Sequence, residues 1–84
     1  MTVYVDDPLS WMGEHNQWCH MWADTQDELH QMAVRIGLHI SWFQQRPKFP
    51  HYDLSPKKRA AALSAGAVYM PLREWIVATK KVTA

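Results

Sequence analysis

The sequence predicts a small single α/β domain over residues 1–84, with a sheet of about three to four strands and two to three helices packed on it. Three observations carry this expectation. Short β-branched and aromatic runs alternate with helical segments, the order a layered α/β sheet produces. Thr25-Gln26-Asp27-Glu28 is a capping box placed just before an apolar stripe. Ser55, Pro56 and Gly66 frame a second helix with an N-cap, a first-turn proline and a closing glycine.

The elements follow in order. "TVYVD" (2–6) reads as the first strand, ended by Asp7-Pro8, and "LSWMGEHNQ" (9–17) as loop. "WCHMWA" (18–23) reads as the second strand. Its alternation puts Cys19, Met21 and Ala23 on one side and His20, Trp22 and Asp24 on the other. The first helix starts at Thr25, with Leu29, Met32, Ala33 and Ile36 at the i, i+3, i+4, i+7 spacing of one apolar face. Gly37 is placed as its left-handed cap. "LHISWF" (38–43) fits a short strand or a helical turn equally, and "QQRPKFPHYD" (44–53) reads as loop punctuated by Pro47 and Pro50. The second helix runs from about Pro56 to Ala65, and "AVYM" (67–70) is a short strand. Pro71 opens a last helix with Leu72, Trp75, Ile76 and Thr79 on one face.

Composition bounds the function. A chain of this length buries only about 60–65% of its unfolded surface, so its five tryptophans and five methionines are first of all core material. The formal net charge of +1 excludes a generally basic nucleic-acid coat but not a local patch. No run of about 18 apolar residues reads as a membrane span, and "MTVYVDD" lacks the basic start and apolar stretch of a secretory signal. The single Cys19 has no partner for an internal disulfide or a Cys-x-x-Cys zinc pair, so a cytoplasmic setting is expected. Cys19 itself reads as a small buried hydrophobe rather than a nucleophile.

The polar residues offer several sites. Asp6 and Asp7 close the first strand, where ligands bind in open α/β sheets, and are candidates with Asp24 for a divalent metal. Asp7-Pro8 also serves as an ordinary turn start, and Asp24 as a helix cap. His20, His51 and Asp53 are the candidates for proton transfer. His30 lies beside an apolar stripe, and His15 and His39 have no partner at a metal-ligand spacing. Trp11, Trp18 and Trp22 fit either a core or an aromatic contact surface.

The most pointed feature is "SPKKR". Lys57, Lys58 and Arg59 occupy the first turn of the second helix, the positive end of its dipole, where each cation costs roughly 0.3–1 kcal/mol. The same end, with its open amides, favours an anion, and Arg59 grips phosphate through two parallel hydrogen bonds. Tyr52 joins these cations as a ligand-binding candidate. The opposing reading is a solvated cationic face paired with acids such as Asp53.

"YVDD", "CHMWADT", "ELH", "IGL", "WFQ" and "HYDLS", with "KR" and "GA", occur in one order over most of the chain. In this the chain resembles a family of small bacterial and phage proteins catalogued as a domain of unknown function. The resemblance implies that Asp6, Asp7, His20, Asp24, His51, Tyr52, Asp53, Lys58 and Arg59 fall on its polar motif. It implies no activity, and "SWMGEHNQW" and "EWIVATKKVTA" fit the pattern least.

Two functions are expected as alternatives. The first is binding of a phosphate-containing ligand, a nucleotide or nucleic-acid end, at a helix N-terminus beside a His/Asp cluster, with metal-dependent phosphoester hydrolysis as the reaction class. The second is a non-catalytic interaction module or inhibitor of a host factor, with Trp11, Met12 and Trp18 meeting a protein partner or a second copy of the chain.

Overall fold

The computed structural model describes residues 2–8, 18–46 and 49–83, with the side chains of 80–83 outside the description. Strands β1 (Val3–Val5), β2 (Cys19–Ala23), β3 (Tyr52–Leu54) and β4 (Val68–Tyr69) form one sheet in the order β3-β2-β1-β4. β1 pairs antiparallel with β2 and parallel with β4, and β2 pairs antiparallel with β3. Helices α1 (Gln26–Arg35), α2 (Pro56–Ser64) and α3 (Leu72–Thr83) complete the mixed α/β domain.

The pleat sorts the strand residues. Val3, Val5, Cys19, Met21, Tyr52 and Leu54 face α1 and α2, where they meet Leu29, Met32, Ala33, Ile36 and Ala62 in the main core. The opposite face carries Tyr4, His20, Trp22 and Asp53, set by the register Tyr4↔Trp22 and His20↔Asp53. Trp22 is nonetheless fully buried, because Tyr4, Phe49 and Trp75 of α3 close over it at ring distances of 5.7, 5.4 and 5.5 Å. Both faces are therefore covered around Trp22, and the aromatic content divides between two cores.

The helix ends follow the capping chemistry. The Thr25 hydroxyl accepts from the Glu28 amide at 3.3 Å and donates to Glu28 Oε1 at 2.9 Å, so the glutamate holds the hydroxyl rather than the Thr25 amide. Ser55 accepts from the Lys58 amide at 3.3 Å, with Pro56 as the first residue of α2. Gly37 takes φ 82° and Gly66 φ 108°, the left-handed region that glycine enters without a Cβ penalty.

One expectation is narrowed to its helical-turn alternative and one changes. Residues 38–43 contain a single 3₁₀ turn, Ile40–Trp42, capped by His39 Nδ1 accepting from the Ser41 amide at 3.1 Å. The segment 44–53, expected as loop, contributes sheet: Gln44 bridges His51 antiparallel and Tyr52 opens β3. The prolines and the aspartate mask a period-2 pattern in which Tyr52 and Leu54 point inward and His51 and Asp53 outward. On α3, Leu72, Trp75 and Thr79 are half-buried as expected, whereas Ile76 is exposed. Among the described residues no helix is long and apolar enough to cross a membrane.

Candidate functional site

The outward positions of neighbouring strands meet in a His/Asp cluster. His20 lies on β2 opposite Asp53 of β3, and His51 stands two residues before Asp53 on the same side. One nitrogen or oxygen from each of His20, His51 and Asp53 lies within 4.8 Å of the others. The two imidazole rings meet edge to face at 5.1 Å, and His51 Nε2 is 3.4 Å from Asp53 Oδ1. Tetrahedral ligands at 2.0–2.1 Å from an ion stand about 3.3 Å apart, so that last pair is already near a coordinating separation.

Each member is held from behind. Asp6, 3% exposed at the end of β1, accepts from His20 Nδ1 at 2.8 Å and from the His20 amide at 2.6 Å. His51, 8% exposed, donates from Nδ1 to the Phe49 carbonyl at 2.8 Å and stacks on the Phe49 ring at 4.9 Å. Gln44 Nε2 donates to Asp53 Oδ2. The partners of both Nδ1 atoms are acceptors, so each Nδ1 carries a proton, and in the neutral ring Nε2 is then the lone-pair nitrogen. Such outer contacts fix tautomer and ring orientation in metal-ligating histidines. Asp6 also holds the His20 imidazole above its ordinary pKa, chiefly through their hydrogen bond, against the downward pull of burial.

The acids expected at a metal site are dispersed. Asp6 touches the cluster only through His20, while Asp7 accepts from the Tyr69 hydroxyl at 2.9 Å. Asp24 accepts from the Thr2 amide at 3.0 Å and the Tyr4 hydroxyl at 2.8 Å. It lies four residues from His20 along an extended chain, a separation of about 13 Å. Tyr52 faces the main core, fully buried, with its hydroxyl 2.9 Å from His30 Nδ1. That contact gives His30 a structural partner. Cys19 is buried and its thiol is pushed up to about 12, chiefly by burial.

The cations of α2 separate as well. Lys58 Nζ donates to the Ile36 carbonyl at 2.7 Å, the negative end of α1, and Arg59 Nε donates to the Asp6 carbonyl at 2.9 Å. The Arg59 guanidinium also lies 5.9 Å over the Tyr69 ring. Two of the three cations thus meet carbonyls on other elements, which offsets their unfavourable place on α2. Lys57 is exposed and has no such partner among the described residues.

A cleft of about 550 Å³ adjoins the cluster, sharing Asp53 with it, and is lined also by the anchoring Gln44 and by Ser55 and Lys58 at the start of α2. Trp18, Trp42 and Phe43 form its aromatic lining. Trp11, Met12 and His15 lie outside the described residues. Sequence reasoning missed Gln44 and the Phe49 carbonyl, which act by position. His51-x-Asp53, two residues apart as strand neighbours are, was the available sign that they share a face.

No curated protein and no solved structure matches the chain. A family model, described as a protein of unknown function (DUF4031), matches residues 3–82. The chain belongs to that family.

Proposed function

We propose that the protein binds one divalent transition-metal ion through His20, His51 and Asp53 and hydrolyses a phosphoester there. The observation that carries the reading is that all three candidate ligands are anchored from behind, by Asp6, the Phe49 carbonyl and Gln44 respectively. Three protein ligands leave a coordination position open, the pattern of catalytic rather than structural sites. Two imidazoles favour zinc, iron or cobalt over magnesium or calcium.

A bound ion of this kind polarises a phosphoryl oxygen and makes water nucleophilic near neutral pH. The chain's own residues orient the reaction: Asp6 and Phe49 keep both imidazoles in the Nδ1–H tautomer, and Gln44 fixes the Asp53 carboxylate. Water oxygen forms the new P–O bond, the ester P–O bond breaks, and the proton given up by water leaves on the alcohol. Lys58 has three ammonium donors and spends one on Ile36, so two remain for phosphate, with Lys57 beside it.

Titrating metal-free protein with Co²⁺ tests this, because cobalt reports His and carboxylate ligation in its visible spectrum. One ion per chain is expected, with loss of the bands in Asp53→Asn and turnover of bis(p-nitrophenyl) phosphate only in the loaded protein. Absence of both heat and bands with Co²⁺ and Zn²⁺ would refute metal binding.

The second reading, a protein-interaction module, draws on the exposure of Trp18, Ile40 and Trp42. It requires a complex or dimer that survives size-exclusion chromatography and is lost in Ile40→Asp.

A further inference from the structure

What the substrate carries besides phosphate is written in the cleft next to the cluster. At about 550 Å³ it falls in the range of small-ligand sites. Its lining joins three aromatic rings, Trp18, Trp42 and Phe43, to polar side chains that include Asp53, Ser55 and Lys58. Trp18 and Trp42 are 47% and 56% exposed as residues, in a chain that buries Trp22 completely between other rings. Both indoles therefore keep aromatic surface open to an occupant. Asp53 belongs to the cleft and to the His/Asp cluster at once, so an occupant extends from the indoles to the proposed metal. Trp42 ends the 3₁₀ turn two residues before Gln44, which anchors Asp53, so the aromatic lining and the cluster are adjacent along the chain.

We infer that the cleft receives the base of a nucleoside phosphate, free or at the end of a strand, with its phosphate directed to the cluster and Lys58. The inference rests on the metal-dependent reading above and adds the substrate class to it. Aromatic rings stack on every base through its π-face and discriminate little between bases. The ligand is therefore recognised as a nucleotide rather than as one particular base. Lys58 faces the same space, held in place by its bond to the Ile36 carbonyl. A sugar phosphate would satisfy the polar groups and leave both indoles uncovered. A purely apolar ligand would offer no polar group to Asp53 or Lys58, which line the same space.

Calorimetric titration of the full chain, metal-free and Zn²⁺-loaded, with AMP, UMP, ribose 5-phosphate, inorganic phosphate and a 5′-phosphorylated tetranucleotide tests the assignment. Both nucleoside monophosphates should bind at least about 5-fold more tightly than ribose 5-phosphate, and Trp18→Ala or Trp42→Ala should weaken them by about 5- to 150-fold. The Co²⁺ spectrum should be unchanged in these two variants, whereas Asp53→Asn should lose the metal and keep base-dependent binding. Trp42→Phe, which retains a ring, should hold affinity within a few-fold and separates lost stacking from lost fold. Tighter binding of the tetranucleotide assigns the site to a strand end, and tighter binding of the monomers to a free nucleotide. Equal affinity for AMP and ribose 5-phosphate, or no nucleotide binding at all, overturns the inference even where the metal binds. Base-dependent binding without any metal uptake supports the cleft and removes the metal reading instead.

Discussion

Asp6 sets the geometry of the whole cluster without belonging to it. Its buried carboxylate grips the ring and the amide of His20, while its carbonyl is gripped by Arg59. Replacing it as Asp6→Asn keeps the size but loses the ionised acceptor, so Co²⁺ affinity should fall about 10- to 100-fold. Calorimetry on both proteins checks this, and equal affinities would show that His20 needs no anchor. The same contact has a pH signature. It raises the folded-state pKa of His20 above 6.5, so its stabilisation is complete below that value and disappears as pH rises through the raised one. The melting temperature of metal-free protein should therefore decline as pH rises above 6.5, and His20→Asn should flatten that limb. Cys19 offers a simpler expectation: a thiol pushed up to about 12 should resist alkylation in native protein and react only after unfolding. Mass spectrometry of iodoacetamide-treated protein would reveal native labelling if burial were incomplete.

At the scale of elements, α1 and α2 are joined end to end. The positive N-terminal turn of α2 supplies Lys58 to the last carbonyls of α1, beside the left-handed Gly37. A Cβ at Gly37 would lie 3.1 Å from Lys58 Nζ, so the ammonium bonded to the Ile36 carbonyl would have to give by a few tenths of an ångström. Whatever that adds, Gly37→Ala costs about 1–2 kcal/mol from the backbone, because φ is 82° there. For a domain of this size each kcal/mol lowers the melting temperature by about 4–8 °C, well within the resolution of a thermal melt. Most elements were legible because their signals are local: the Thr25 cap, the Ser55-Pro56 start and the apolar spacing of Leu29 to Ile36. β3 was not, since its three residues, Tyr52–Leu54, carry too short a pattern to stand apart from a turn. Its strand character comes from pairing with β2, through Cys19↔Leu54 and Met21↔Tyr52.

The whole molecule places its two faces in different roles. α1 and α2 seal one face with aliphatic side chains, and Trp75 of α3 covers the other around Trp22. The polar positions beyond that aromatic cap, His20, His51 and Asp53, keep their place at the end of the cleft. An ion that binds the folded cluster and not the unfolded chain stabilises by roughly 2.7 kcal/mol at 100 times its dissociation constant. The melting temperature should then rise by about 10–20 °C with Zn²⁺ or Co²⁺ and return on chelation. A shift that survives in Asp53→Asn would place the ion elsewhere.

Charge, capping and periodicity along the chain determined an α/β domain, the core faces of β2 and α1, and the residue types able to hold a metal. They did so because each signal is complete within about ten residues. Which of those residues meet was decided only by strand pairing. His20 and Asp53 are far apart in sequence and become neighbours through the β2–β3 register, whereas Asp24, four residues from His20, is carried away by the extended strand. Lys58 and Arg59 follow the same logic. Their cost on α2 is local and visible in the sequence, and the carbonyls that offset it belong to Ile36 and Asp6, brought beside them by the fold.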